Sequence, residues 1–119
     1  MDNNECPFSP LTKSNCVPCQ GGVEPLAGEA IKALFEQLSP GWTVVDNRRL
    51  EKEYKFKNFA QGLDFVNKIG SLAQIQGHHP DVYLTWGRVK LIIWTHKING
   101  LHKNDFIFAS KADEMLVSG

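Results

Sequence analysis

The sequence has no run of apolar residues approaching the roughly 20 that a membrane-spanning helix needs. It also has no excess of charge, because 13 Lys and Arg residues balance 13 Asp and Glu residues. A neutral protein has no general electrostatic attraction for nucleic acids or anionic membranes. The first residues, Met1 to Glu5, lack both the positive charge and the apolar segment of a signal peptide. These absences predict a soluble cytoplasmic protein with neither a nucleic-acid nor a membrane partner.

Cysteine is scarce, and the three cysteines, Cys6, Cys16 and Cys19, all lie near the N-terminus. An odd number argues against the disulfide framework of a small secreted protein. Cys16 and Cys19 form a CxxC motif, but a structural zinc site usually takes four ligands from two such pairs. The nearest histidine in the sequence lies beyond residue 75. We therefore expect reduced, inert thiols, with a metal or disulfide role as the alternative.

The composition is that of one globular domain, because 42% of the 119 residues are hydrophobic, enough for a single core. Residues 1–25 are rich in Asn, Pro, Ser, Gly and Cys without periodicity, which predicts an irregular N-terminal arm. Residues 26–119 carry the periodic patterns of helices and strands and are predicted to form the domain itself.

Three helices are predicted to alternate with two β-hairpins. The predicted order is a helix over about 27–38, strands 42–46 and 50–56, a helix over 59–76, strands 81–86 and 89–95, and a helix over about 103–117. Lys52 is the exception to the apolar face of the second strand. The simplest architecture is an α+β fold, a four-stranded antiparallel sheet of two hairpins with three helices packed on one face, in the order α-ββ-α-ββ-α.

The longest predicted helix carries its own start and stop signals. Asn58 can cap the N-terminus with its side-chain oxygen, and Gly77 can adopt the left-handed conformation that ends a helix. The helix is expected to pack through a broad apolar stripe formed by Phe59, Leu63, Val66, Ile69 and Ala73, with Phe65 and Leu72 beside them.

Three of the four histidines, His78, His79 and His96, lie in one short stretch of the sequence. Imidazole titrates near neutral pH, so such a group suggests proton transfer, a metal site, or capping and surface histidines without chemistry. Pro80 favours an extended backbone at His79, so that His78 and His79 point in different directions and are badly placed to share a metal. No HEXXH motif or nearby acidic residue completes a familiar zinc spacing.

Residues at fixed spacings extend from the end of the second predicted helix to the start of the third. They are Gln74-x3-His78-His79-Pro80-Asp81-Val82, Trp86, Thr95-His96, Gly100-Leu101 and Asp105. This set resembles the signature of the pterin-4a-carbinolamine dehydratases, which in animals are also known as dimerisation cofactors of a homeodomain transcription factor. The resemblance covers about residues 25–117, and Cys16-x2-Cys19-x-Gly21-Gly22 resembles the N-terminal arm of many bacterial members. Two positions depart from the family pattern: Gln74, where Glu is frequent, and His102, where Ser or Thr commonly caps the last helix, so that Asn104 or Asp105 is expected to cap instead.

The resemblance implies a hydro-lyase that dehydrates 4a-hydroxytetrahydropterin to quinonoid dihydropterin and recycles the pterin cofactor of aromatic amino acid hydroxylases. It implies histidine acid/base catalysis of a small-molecule pterin substrate without a cofactor or metal, in a homodimer or homotetramer. The alternative is a non-catalytic protein-interaction or transcriptional cofactor role.

The resemblance also implies roles for individual residues. His79 and His96 are expected to be the leading acid/base pair, while His78, after the flexible Gly77, positions the substrate or shares the proton. Gln74 is expected to orient His78, and Asp105 to hold His96. Pro80 and Trp86 are expected to contact the substrate, and Trp42 either contributes to the same apolar wall or packs in the core.

Overall fold

The computed structural model describes Leu11, Ser14, Cys16 and residues 24–117. The elements are α1 (Gly28–Phe35), β1 (Thr43–Val45), β2 (Arg49–Lys55), α2 (Phe59–Gln76), β3 (Asp81–Leu84), β4 (Arg88–Ile93) and α3 (Lys103–Val117), with a short 3₁₀ turn over His96–Ile98. The strands form one antiparallel sheet in the order β1-β2-β4-β3. This confirms the predicted α+β fold, whereas most of the predicted irregular arm lies outside the described residues.

One face of the sheet, most of α3 and the buried sides of α1 and α2 form the core. Alternation along the two central strands turns Leu50, Tyr54, Val89, Leu91 and Ile93 toward the helices, and all five side chains are buried. Helix α3 lies against them with Phe106, Phe108, Ala109 and Ala112 fully buried. No helix within the described part of the chain is long and apolar enough to cross a membrane.

The ends of α2 are as predicted, and its buried face is predicted in part: Phe65, Ile69, Leu72 and Ala73 are buried as expected. The Asn58 side chain accepts a hydrogen bond from the Gln61 N–H, and Gly77 ends the helix with a left-handed φ of 65°. Phe59 and Leu63, expected in the core, are 45% and 42% exposed. The buried face consists of Gly62, Phe65, Ile69, Leu72 and Ala73.

Gly62 is the one buried residue of α2 that the predicted apolar stripe did not include. A Cβ atom at this position would lie 3.1 Å from the Leu84 Cδ1 atom of β3, which is tighter than ordinary van der Waals contact. The helix therefore approaches the sheet through a residue with no side chain. A stripe drawn through the large apolar residues misses such a contact position.

A buried carboxylate explains the inward-facing lysine of β2. Asp113 of α3 accepts hydrogen bonds from Lys52 Nζ and the Tyr54 hydroxyl, each at 2.7 Å, and from Trp42 Nε1 at 2.8 Å. Burial, together with the nearby Asp113 charge, raises the pKa of Tyr54, so its hydroxyl remains a donor. Trp42 is 5% exposed. Of the two roles considered for Trp42, its burial and its hydrogen bond to α3 favour packing in the core over a place in the substrate wall.

Strand β4 is shorter than predicted and ends at Ile93. A tight loop follows the strand, closed by a β-bridge between Thr95 and Gly100. Within this loop Asn99 adopts a left-handed φ of 48°. His96 therefore begins the 3₁₀ turn rather than continuing the strand. The strand predicted over 89–95 therefore ends two residues earlier than expected.

Candidate active site

His78 is the most firmly held of the three clustered histidines. The left-handed Gly77 turns the chain, and the His78 N–H donates to the Ala73 carbonyl at 3.2 Å. The His78 Nε2 atom lies 2.6 Å from Asp105 Oδ1, and the side chain is only 12% exposed. A buried carboxylate therefore fixes the His78 ring, although the flexible Gly77 directly precedes it.

Asp105 is the centre of the polar network at this site. Its side chain is fully buried, and its second oxygen, Oδ2, accepts from Thr95 Oγ1 and from the His102 backbone N–H, each at 2.8 Å. Asp105 was expected to hold His96; it instead joins His78 to the residue that precedes His96. An ionised carboxylate satisfies all three contacts if His78 Nε2 carries a proton, which leaves His78 Nδ1 as the free ring nitrogen.

The start of α3 supports this carboxylate. His102 Nδ1 accepts from the Asn104 N–H at 3.1 Å, while the Asp105 side chain reaches back to the His102 N–H. This reciprocal arrangement is a capping box in which histidine replaces the usual serine or threonine. Asn104 or Asp105 was expected to cap α3 in place of His102. Asp105 does take part in the cap, but the His102 side chain is itself the N-terminal cap.

His79 has a neutral partner. Its Nε2 atom lies 2.8 Å from Gln74 Oε1 in the last turn of α2. Gln74 was expected to orient His78; the turn at Gly77 instead folds His79 back over the helix end. Because an amide oxygen only accepts, His79 Nε2 is the donor, and its Nδ1 atom is also free. Pro80 follows directly and leads into β3, whose first residue is Asp81.

His96 is exposed and lies against an aromatic side chain. Its ring centroid is 4.1 Å from that of Trp94, and the Arg49 guanidinium lies 4.2 Å from the Trp94 ring centroid. The Trp94 Nε1 atom is buried without a hydrogen-bond partner among the described residues. The sequence interpretation assigned no role to Trp94 or Arg49, because their contact arises only when β2 pairs with β4.

Trp86 is not brought to this site within one chain. It lies at the tip of the β3–β4 hairpin and is 67% exposed. Trp86 lies five positions after Asp81, or about 16 Å along an extended strand. A substrate contact by Trp86 stays a prediction without support from the geometry of the single chain.

The site has the features of acid/base chemistry. Two adjacent imidazoles each contact an acceptor oxygen through Nε2, and for one of them the acceptor is a buried carboxylate. Among the described residues, no group of three or more His, Cys, Asp or Glu side chains is placed to hold a metal ion. Metal-independent activity stays a prediction.

The fold and site define a two-layer α+β protein with a histidine–carboxylate centre. The sequence matches the family described as pterin 4 alpha carbinolamine dehydratase over residues 24–115. A relative from Rubrobacter xylanophilus, named "Putative pterin-4-alpha-carbinolamine dehydratase", is 50% identical over 91% of this chain and 100% of its own length. A relative of the same name from Alkaliphilus metalliredigens is 47% identical over 87% of this chain and 94% of its own. The chain belongs to the pterin 4 alpha carbinolamine dehydratase family.

Solved structures share the fold. A transcriptional coactivator/pterin dehydratase from Brucella melitensis is 27% identical, with a TM-score of 0.71 over 77% of this chain and 98% of that one. A pterin dehydratase-like protein described as a RuBisCO assembly factor in the alpha-carboxysome is 19% identical, with a TM-score of 0.55 over 63% and 88% of the two chains. The second likeness concerns the fold alone.

Proposed function

We propose that this protein dehydrates 4a-hydroxytetrahydropterin to quinonoid dihydropterin, as a hydro-lyase that recycles the pterin cofactor of aromatic amino acid hydroxylases. The observation that carries the proposal is the 2.6 Å contact between His78 Nε2 and Asp105 Oδ1, directly beside His79, in a chain of this family. A histidine held in one tautomer by a buried carboxylate is suited to taking up and releasing a proton.

The reaction needs one acid and one base. A general acid protonates the hydroxyl on C4a, the C4a–O bond breaks, and water leaves. A base removes the proton from N5, and the N–H electron pair becomes the second bond between N5 and C4a. One proton enters the substrate and one leaves it, so the net protonation of the enzyme is unchanged. Each transfer by a positioned side chain accelerates the reaction by about 10²–10⁴-fold.

We assign the base to His78. With its proton on Nε2, the ring presents a lone pair at Nδ1. When Nδ1 accepts the N5 proton, the charge of Asp105 compensates the positive charge that the ring gains. This role is greater than the positioning role expected from the sequence, because the carboxylate contacts His78 and not His96.

The acid is then His79 or His96. Among the described residues, the His79 ring is bonded to the neutral Gln74 amide and contacts no carboxylate that would oppose release of its proton. His96 follows Thr95, which shares the Asp105 carboxylate, and the Trp94 ring restricts its orientation. Comparison of the two alanine variants decides between them.

The test is turnover of chemically generated 4a-hydroxytetrahydropterin, followed by ultraviolet absorbance. The purified protein is expected to exceed the buffer-catalysed rate, and His78→Ala to lower kcat by about 10²-fold or more. Ile75→Ala is the matched control, because Ile75 lies on the same end of α2 and is 78% exposed. A wild-type rate equal to that of buffer would refute the proposal.

A second candidate function is a non-catalytic protein-interaction or transcriptional cofactor role. The single chain exposes large apolar side chains on α2 and the β3–β4 hairpin, with Phe59 at 45%, Tyr83 at 56% and Trp86 at 67%. The Brucella melitensis relative is described as a coactivator as well as a dehydratase. An interaction role alone predicts no turnover above buffer, so the same assay separates the two.

A further inference from the structure

Part of the N-terminal arm lies against the active site. Leu11 is 2% exposed and belongs to the hydrophobic core. The Cys16 backbone N–H donates to Gln76 Oε1 at 2.8 Å, and the Cys16 thiol donates to the Asn104 carbonyl at 3.5 Å. Gln76 is the last residue of α2, two positions before His78, and Asn104 directly precedes Asp105.

These contacts close a ring of three chain segments. The Cys16 backbone bonds the Gln76 side chain, and the chain leads from Gln76 to His78. His78 contacts Asp105 at 2.6 Å. Asn104, directly before Asp105, accepts from the Cys16 thiol and so completes the ring. We propose that Cys16 of the N-terminal arm is a positioning residue of the active site, which clamps the end of α2 to the start of α3. The kinetic part of this inference rests on the proposed function.

The clamp acts where the site is most sensitive to geometry. His78 and Asp105 belong to different elements, so their separation depends on how the end of α2 sits against the start of α3. Small displacements of acid/base groups cost large factors in rate, on the order of 10²-fold for 1 Å. A second link between the same two segments therefore limits the drift of the imidazole from its carboxylate.

The thiol is suited to donate. Burial, followed by the negative charge of Asp105, raises the pKa of Cys16 to about 11, so the S–H group persists through neutral pH. The thiol contacts the carbonyl of Asn104, the residue directly before the active-site carboxylate. An inert thiol, as expected from the sequence, would affect stability without affecting the chemistry.

The experiment compares Cys16→Ala, which removes the thiol donor, with Cys16→Ser, which keeps a donor, and Gln76→Leu, which removes the other acceptor. Ser14→Ala is the matched control on the arm, because it changes a neighbouring residue without removing a bond of the ring. Each variant is assayed for kcat and KM and for the nuclear magnetic resonance signal of the His78 ring N–H proton. Circular dichroism establishes that each one is folded.

Cys16→Ala and Gln76→Leu are expected to lower kcat about 3- to 10-fold at similar KM, and to shift or broaden the His78 N–H signal. Cys16→Ser should recover most of both properties, and Ser14→Ala should match wild type. In an Asp105→Asn background, Cys16→Ala should have no further effect on kcat, because the contact that it supports is already lost.

The inference is overturned if folded Cys16→Ala keeps wild-type kcat and an unchanged His78 signal. It is also overturned if Cys16→Ser is as damaging as Cys16→Ala. The His78 signal does not depend on turnover. A protein without dehydratase activity would therefore refute the proposed function, while the effect of Cys16→Ala on the His78 signal would still test the clamp.

Discussion

Replacement of Asp105 by Asn is expected to reverse the tautomer of His78. The Oδ2 atom of Asp105 accepts from two donors, the Thr95 hydroxyl and the His102 backbone N–H. Because a backbone N–H cannot become an acceptor, the single oxygen of Asn must occupy the Oδ2 position. Its NH₂ group then faces His78 Nε2, which must accept rather than donate. The ring proton moves to Nδ1, the nitrogen that the proposed mechanism needs as a base.

The expected loss of activity is large compared with the loss of stability. A misplaced tautomer removes general base catalysis, worth about 10²–10⁴-fold in kcat, which corresponds to about 3–5 kcal/mol of transition-state stabilisation. The best-known carboxylate-to-amide change of this kind, in the serine protease triad, lies at the upper end of this range. Stability should fall by only about 1–3 kcal/mol, because the contacts to Thr95 and His102 persist and one charge-assisted bond is lost.

Two measurements check this prediction. Absorbance assays of dehydration give kcat for Asp105→Asn, with Asp64→Asn as the control, since Asp64 is an exposed surface residue of α2. Nitrogen-15 chemical shifts of the His78 ring report which nitrogen carries the proton. A folded Asp105→Asn protein with kcat within about threefold of wild type, or with the proton still on Nε2, would refute the reasoning.

Other predictions concern the surroundings of the site. His102→Ala removes the acceptor for the Asn104 N–H and should lower the free energy of unfolding by about 0.5–2 kcal/mol. Its loss of kcat should be much smaller than that of His78→Ala. A denaturant titration that finds no loss of stability contradicts the cap. Asp113→Ala leaves the Trp42 and Tyr54 donors buried without their acceptor and should lower the free energy of unfolding by about 3–5 kcal/mol. Asp113→Asn should lower it less. An unchanged melting temperature of Asp113→Ala contradicts this prediction. Light scattering at micromolar concentration should show a homodimer or homotetramer, because the sheet has open edges and the single chain exposes apolar side chains; a monomer alone contradicts this. Exhaustive chelation should leave activity intact, and loss of turnover that zinc restores would contradict acid/base catalysis without metal.

The sequence by itself determined the order of helices and strands, because these signals are local. Alternating side chains mark β2 and β4, and the Asn58 cap and the left-handed Gly77 mark the ends of α2 within about one residue. The spacing of His78-His79-Pro80 and the later Thr95-His96 also indicated the family, since spaced side chains carry that signature whatever their contacts.

Only the tertiary structure decided which groups bond to one another. The sequence interpretation paired Gln74 with His78 and Asp105 with His96, whereas the structure pairs Gln74 with His79 and Asp105 with His78. Those partners depend on the direction of the chain after Gly77 and on how closely α3 approaches the end of α2. The place of Gly62 on the buried face of α2 was missed for a related reason, because a helix can dock through a residue without a side chain. A hydrogen bond between residues 27 positions apart is a property of packed elements, and no local pattern specifies it.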